Sequence, residues 1–238
     1  MAEPKYKNVL LKLSGEVLAG GDRWGLDPVF LSRISSEVKS VEKAGVRLGL
    51  MVGGGNIVRG ARSEGLGVDR ACADYMGMLG TVVNGLALQD YLERAGIKAP
   101  LLSTIDIGQI TEPATRRTVL RYLDSEKVVI FVSGTGNPYF TTDTAAALRA
   151  VEMNAQVLLK GTKVDGVYDS DPKTNAKARK FETLSYIRFL ERGLKVLDAT
   201  AVSLCMENSL PIIVFDVLKE GNLLKAIMGS KIGTRISS

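Results

Sequence analysis

Short apolar runs alternate with helix-like stretches along almost the whole chain, and this alternation restricts the fold more than any other feature of the sequence. Strand-like runs fall at Asn8 to Leu13 (NVLLKL), Val46 to Val52, Lys98 to Leu102, Lys127 to Val132, Gln156 to Leu159 and Pro211 to Phe215, with GTRI as a last strand. Between them, apolar residues recur at helical spacing over Pro28 to Ala44, Arg70 to Ala95, Ala114 to Leu123, Thr144 to Met153, Ser185 to Glu191, Ala199 to Asn208 and Leu223 to Met228. Gly45 and Gly96 stand where helices should stop, and Asp69 where one should start. Strands separated by helices pair in parallel through right-handed crossovers, so the expected fold is a helix-sheet-helix sandwich. No repeat or linker divides the 238 residues, which predicts one α/β unit with a cleft between two lobes and a lobe change near Leu159 and Lys160.

The chain holds no histidine. That excludes Ser-His-Asp and Cys-His catalysis and removes the commonest general base. Phosphoryl transfer to an acceptor that is already ionised needs no such base, because positioning and charge stabilisation do most of the work. The two cysteines, Cys72 and Cys205, have no CxxC spacing and read as buried free thiols in a reducing compartment. Lys plus Arg exceeds Asp plus Glu by 31 − 26 = 5, but the cations are scattered, which does not imply nucleic acid. Lys173, Lys177, Arg179 and Lys180 read as a solvated surface. Met1 to Asn8 is polar and no apolar run approaches the ~18 residues of a membrane span, so the expected location is the cytoplasm.

In open parallel sheets ligands bind beyond the carboxyl ends of the strands. Four loops fall there: KLSGE (12–16), GGGNIVRG (53–60), SGTGNPYFTTD (133–143) and KGTKVDGVYDSDP (160–172). Gly53, Gly54 and Gly55 allow main-chain N–H groups to approach an anion, and Arg59 offers a planar fork suited to phosphate. Neither a Walker loop nor a GxGxxG fingerprint is present, so the common phosphate-loop families are excluded. Lys12 sits in an apolar strand and is a candidate clamp on a transferring phosphoryl group. In the third loop Gly134 and Gly136 relax the turn, Asn137 offers an amide, Thr141 and Thr142 cap the next helix and Asp143 opens it. Tyr168, Asp169 and Asp171 could stack and orient a second nucleotide, or serve as turn residues.

Taken together, LLKLSGE, VGGGNIVRG, DYMGMLGTVVNGLALQD, SGTGNPYFTTDTAA and KGTKVDGVYDSDP resemble, in this order and over nearly the whole chain, the bacterial uridylate kinases of the amino acid kinase superfamily. The resemblance implies a three-layer α/β/α sandwich with a mainly parallel eight-stranded sheet, in which residues to about 159 hold the acceptor UMP and residues from about 160 hold ATP. It implies Mg²⁺-dependent transfer from ATP to UMP, a homohexamer, activation by GTP and inhibition by UTP. Carried over by position, Lys12, Leu13, Ser14, Gly15, Gly55, Arg59, Thr162, Tyr168 and Asp171 match the ATP site. Gly54, Asp74, Thr135, Gly136, Asn137, Pro138, Tyr139, Phe140, Thr141 and Thr142 match the UMP site. Lys12, Arg59 and Asp143 take catalytic roles in this correspondence, Asp198 faces the metal through water, and Gly20, Gly21, Asp22, Arg23, Trp24 and Gly25 fall at the GTP-responsive element. The competing readings are another kinase of the superfamily, such as one for acetylglutamate, and a nucleotide- or oxyanion-binding protein without turnover on the same scaffold.

Overall fold

Side chains along a strand point alternately to its two faces, so a strand buried on both sides must be apolar at every position. The first strand, β1 (Asn8–Leu13), obeys this except at Lys12, and the fold is built around it. The computed structural model describes residues 3–22, 24–58, 67–125, 128–170, 172, 174–175 and 177–238. After β1 come α1 (Gly15–Leu18), α2 (Pro28–Lys43), β2 (Arg47–Val52), α3 (Arg70–Arg94), β3 (Leu101–Ser103), β4 (Glu112–Pro113), α4 (Arg116–Ser125), β5 (Val128–Val132) and α5 (Thr142–Glu152). The second half adds β6 (Val157–Thr162), β7 (Val167–Tyr168), β8 (Lys180–Phe181), β9 (Thr183–Ser185), α6 (Tyr186–Glu191), α7 (Ala199–Glu207), β10 (Ile212–Asp216), α8 (Asn222–Ile227) and β11 (Thr234–Ser237).

Among the described residues the main sheet has nine strands in the order β4-β3-β5-β2-β1-β6-β10-β11-β9, one more than expected, with β7 and β8 as a separate antiparallel pair. Neighbours run parallel except β10 and β11. Val9, Leu11 and Leu13 pack with residues of α2, α3 and α8 on one face, whereas Leu10 faces α4, α5, α6 and α7 on the other. The expected sandwich is therefore observed. Strand β6 runs three residues beyond its expected end at Leu159 because it pairs with β1 on one side and β10 on the other.

Local chemistry sets the element ends that matter for the site. Asp69 caps α3 by accepting from the amides of Ala71 and Cys72, and α3 then runs 25 residues to the stop at Gly96, which lies at φ +76. Helix α5 begins two residues earlier than expected, because Thr141 is its N-cap and accepts from the amides of Asp143 and Thr144. Ala145, Ala146, Ala147 and Ala150 are fully buried. Small side chains let α5 lie close on the sheet, which brings Asp143 down to the strands. A larger residue at Ala147 would overpack this contact at a cost of about 1–3 kcal/mol.

Candidate active site

The carboxyl ends of β1, β2, β5 and β6 lie side by side, and their loops form the site. Lys12 of β1 and Lys160 of β6 are direct register partners on neighbouring strands. Both are buried, and like charges placed opposite one another in a sheet repel. Asp143, in the first turn of α5, resolves this by meeting both. Its Oδ1 lies 2.8 Å from Lys12 Nζ, and its Oδ2 accepts from Lys160 Nζ. Burial alone would raise the Asp143 carboxyl, but the Lys12 and Lys160 ammoniums outweigh it and hold Asp143 below the usual carboxylate range. Lys160 is pushed down to about 8, mainly by burial and then by the Lys12 charge, with Asp143 opposing. The cluster is a cation pair balanced by a carboxylate, with one lysine whose proton is held less tightly than usual.

The three glycines after β2 do different work from one another. A Cβ on Gly54 would stand 2.3 Å from the Gly77 carbonyl oxygen of α3, and one on Gly53 would stand 3.0 Å from the Gly15 amide, so these two are glycine because other backbone crowds them. Of the three, only Gly55 leaves open space where a Cβ would stand. Leu13 is fully buried and its carbonyl accepts from the Gly53 amide, so it belongs to the core rather than offering a side chain to a ligand.

The loop after β5 is held in uncommon backbone conformations. Ser133 and Tyr139 have φ of 62 and 72, which is rare for residues with a Cβ. Each is tied down from elsewhere. The Ser133 amide donates to Thr81 Oγ1 of α3 at 2.6 Å, its hydroxyl meets that of Ser103 at 2.8 Å, and its carbonyl accepts from Thr104 Oγ1 at 2.9 Å. The Tyr139 amide donates to Asp74 Oδ2 at 2.8 Å, and Asp74 also pairs with Arg70 at 3.0 Å. Asn137 turns its amide onto the Thr135 carbonyl of its own loop. Pro138 lies in the same turn, and Tyr139 and Phe140 stand exposed at its rim.

Two clefts flank this loop. The first is lined by Gly54, Gly55, Asp74, Thr81, Thr135, Phe140 and Thr142 among others. The second is lined by Lys12, Thr141, Thr142, Asp143, Lys195 and Asp198 among others. Thr142 lines both, so the clefts adjoin at the first turn of α5, beside Lys12 and Asp143. Asp198 caps α7 and accepts from the hydroxyls of Thr141 and Thr144 and the amide of Ala201.

Ser14 is the N-cap of α1, beside Gly15 and the glycine loop. Thr162 ends β6 and Tyr168 lies in β7, where its hydroxyl donates to Asp165 at 2.6 Å; neither lines either cleft. Arg59, Asp171 and Arg23 lie outside the described residues. Of the segment 20–25, Gly20 accepts through its carbonyl from Lys163 Nζ at 2.6 Å, Gly25 is hydrogen-bonded to Asn56, and Trp24 is exposed. Gly21 and Asp22 lie between these anchors. Cys205 is buried, which pushes its thiol up to about 12, but Cys72 is exposed, correcting the expectation of two buried thiols.

Lys160, Lys195, Thr81 and Asn84 also stand at the site, though none is among the sequence candidates. Lys160 carries the same signal as Lys12, a lysine inside an apolar run (VLLKGT). Thr81 and Asn84 gain their roles from partners distant in sequence, and Lys195 from the second cleft that it lines.

A parallel sheet that gathers a glycine loop, two paired lysines and an aspartate at its carboxyl edge, with no Walker loop, defines an α/β protein built to handle phosphate outside the P-loop class. This chain belongs to the amino acid kinase family, whose profile matches residues 7–216. Its structure is similar to that of the UMP kinase from Bacillus anthracis, with a TM-score of 0.94 and 35% identity over 98% of this chain and 96% of that one. The UMP kinase from Ureaplasma parvum matches with a TM-score of 0.92 and 36% identity, over 98% of this chain and 100% of that one. The uridylate kinase from Archaeoglobus fulgidus matches with a TM-score of 0.74 and 26% identity, over 96% and 99%.

Proposed function

We propose that this protein is a UMP kinase that transfers the γ-phosphoryl of ATP to UMP, giving ADP and UDP. The observation that carries this reading is the junction of two clefts at Thr142, beside the Lys12–Asp143–Lys160 cluster. UMP occupies the first cleft, with Asp74 toward its ribose and the 135–142 loop around its base. The ATP phosphates reach the second cleft, and Ser14, Gly15, Gly55, Thr162, Tyr168, Asp171 and Arg59 complete the ATP side. A UMP phosphate oxygen forms the new bond to the γ-phosphorus as the bond to the bridging oxygen of ADP breaks. No proton has to move, so the absence of histidine is no obstacle. Lys12 and Lys160 spread the charge of the moving phosphoryl, and Asp143 keeps both lysines in place.

Mg²⁺ bound to the nucleotide would neutralise charge on its phosphates, with Asp198 as the residue that would face it. Both Asp198 oxygens already accept hydrogen bonds, a donor set that suits contact through water. Strands β1 to β5 form one side of the main sheet and β6, β9, β10 and β11 the other, which supports an acceptor half to about residue 159 and an ATP half beyond it. Among the described residues no helix is long and apolar enough to cross a membrane. The proposed reaction places the protein in pyrimidine nucleotide synthesis in the cytoplasm.

Helix α3 exposes Tyr75, Leu79, Val83 and Leu86, a stripe at helical spacing along its outer face. The exposed stripe supports burial of this face against a second copy, one contact of a proposed hexamer; GTP and UTP as effectors belong to the same proposal. Leu79→Lys with Val83→Lys then yields smaller species in sedimentation velocity; an unchanged size would place the contact elsewhere.

Chromatography of products after incubation with Mg-ATP and, separately, UMP, CMP, dUMP, GMP and N-acetylglutamate tests the activity. UDP formed from UMP alone is expected. No phosphorylated product from any acceptor, alongside ATP binding, would overturn the reading in favour of a binding protein.

A further inference from the structure

Asn56, at the end of the glycine loop, and Asn84, in the middle of α3, are 1% and 0% exposed. Their side chains form a reciprocal amide pair. Asn56 Nδ2 donates to Asn84 Oδ1 at 2.9 Å, and Asn84 Nδ2 donates to Asn56 Oδ1 at 2.6 Å. The second hydrogen of each amide goes to main chain: Asn56 Nδ2 donates to the Gly25 carbonyl, and Asn84 Nδ2 to the Gly53 carbonyl, both at 2.6 Å. All four N–H bonds are thus used, without recourse to solvent. The Gly25 amide also donates to the Asn56 carbonyl, so the 20–25 turn is bound to Asn56 through both its main-chain groups at that residue. A Cβ on Gly15 would stand 2.5 Å from Asn56 Oδ1, so the pair is also in contact with the start of α1.

Resting on the UMP kinase reading, we infer that Asn56 and Asn84 are positioning residues acting as one node, which sets the glycine loop for phosphoryl transfer and ties it to the 20–25 turn and to α3. The chemistry favours this over simple packing. Two buried amides that satisfy each other stay satisfied only in one relative placement, and each fixes a different loop in that placement. A shift of the 20–25 turn pulls on Asn56, Asn56 pulls on Asn84, and Asn84 carries the Gly53 peptide with it. Lys163, the residue after β6, holds the other end of the turn through the Gly20 carbonyl, so the turn is anchored both there and at the glycine loop.

The test uses Asn84→Leu, Asn84→Ser as a milder change, and Asn56→Ser, each in the full chain. Hydrogen exchange is followed by mass spectrometry in segments covering 19–25, 53–58 and, as a reference, 157–162. A single node requires either substitution to speed exchange in both loops while the reference strand is unchanged. Two independent anchors would instead give faster exchange in 53–58 alone for Asn84 variants and in 19–25 alone for Asn56→Ser, and that result overturns the inference. Turnover supplies the second readout. Misplacing the loop lowers kcat on the order of 10- to 100-fold with KM for both nucleotides within about threefold. Parental kcat in folded variants, or a loss that tracks only the melted fraction, contradicts a positioning role. Should the parent form no UDP, the UMP kinase reading fails by itself, and the exchange data still decide whether the node exists.

Discussion

Replacing Asp143 with Asn removes the carboxylate that two buried ammoniums share, while changing the shape of the side chain little. Lys12 and Lys160 are register partners on adjacent strands whose backbones lie ~4.8 Å apart. Two such charges ~5 Å apart, at an effective dielectric of ~20, repel by about 3 kcal/mol. Removing one partner of a buried ion pair costs about 3–5 kcal/mol in general, a large share of the ~5–15 kcal/mol that holds a domain folded. The cost has an outlet, because Lys160 already sits near 8 and can shed its proton. Asp143→Asn should therefore lower stability by about 3–5 kcal/mol at pH 6 and by less at pH 9, where Lys160 is mostly neutral before the substitution. Urea unfolding at fixed protein concentration, with an unchanged m value, measures this. Adding Lys160→Met to Asp143→Asn removes the second charge and should restore most of the stability without restoring turnover. A single variant within about 1 kcal/mol of the parent at pH 6 would refute the claim that Asp143 balances the lysine pair.

Three further outcomes follow from the same geometry. Lys12→Ala should lower turnover on the order of 10²–10³-fold, the scale for one charge-stabilising donor, and near-normal turnover would contradict its role at the phosphoryl. Asp74→Asn should raise KM for UMP well above any change for ATP, because Asp74 lines the first cleft and fixes the Tyr139 amide; equal losses for both ligands would count against a ribose contact. Because Lys160 titrates near 8, kcat/KM should fall as pH rises through that value, and Lys160→Gln should remove this alkaline limb. The same depressed value means that between about 8 and 10.5 the unfolded chain binds more protons than the folded one, so this group's contribution makes stability rise with pH across that window.

What could be read from the sequence, and what could not, divides along physical lines. The long elements were legible because burial on both faces forces continuous apolar runs in strands and burial on one face forces helical spacing. Strand β1 appears at its expected bounds, and α3 within one residue of its own. Strands β4, β7, β8 and β9 were not, since two or three residues carry no period. Nor does a run such as GTRI carry its direction, which is set by pairing with β10. In the site, a polar residue is informative where the element leaves no place for one. Lys12 in a strand buried on both faces meets that condition, and so does Lys160. Asn84 does not, because every third or fourth position of an amphipathic helix can be polar without meaning, and its partner Asn56 lies 28 residues away. The Ser133 conformation is hidden for a related reason. A serine bears no mark of positive φ, and the groups that hold it there come from Thr81, Ser103 and Thr104 on other elements. The glycine loop combines the two cases: its three glycines declare a close approach, yet Gly53 and Gly54 meet the protein's own backbone, and only the folded chain separates those from Gly55, where a Cβ would meet open space.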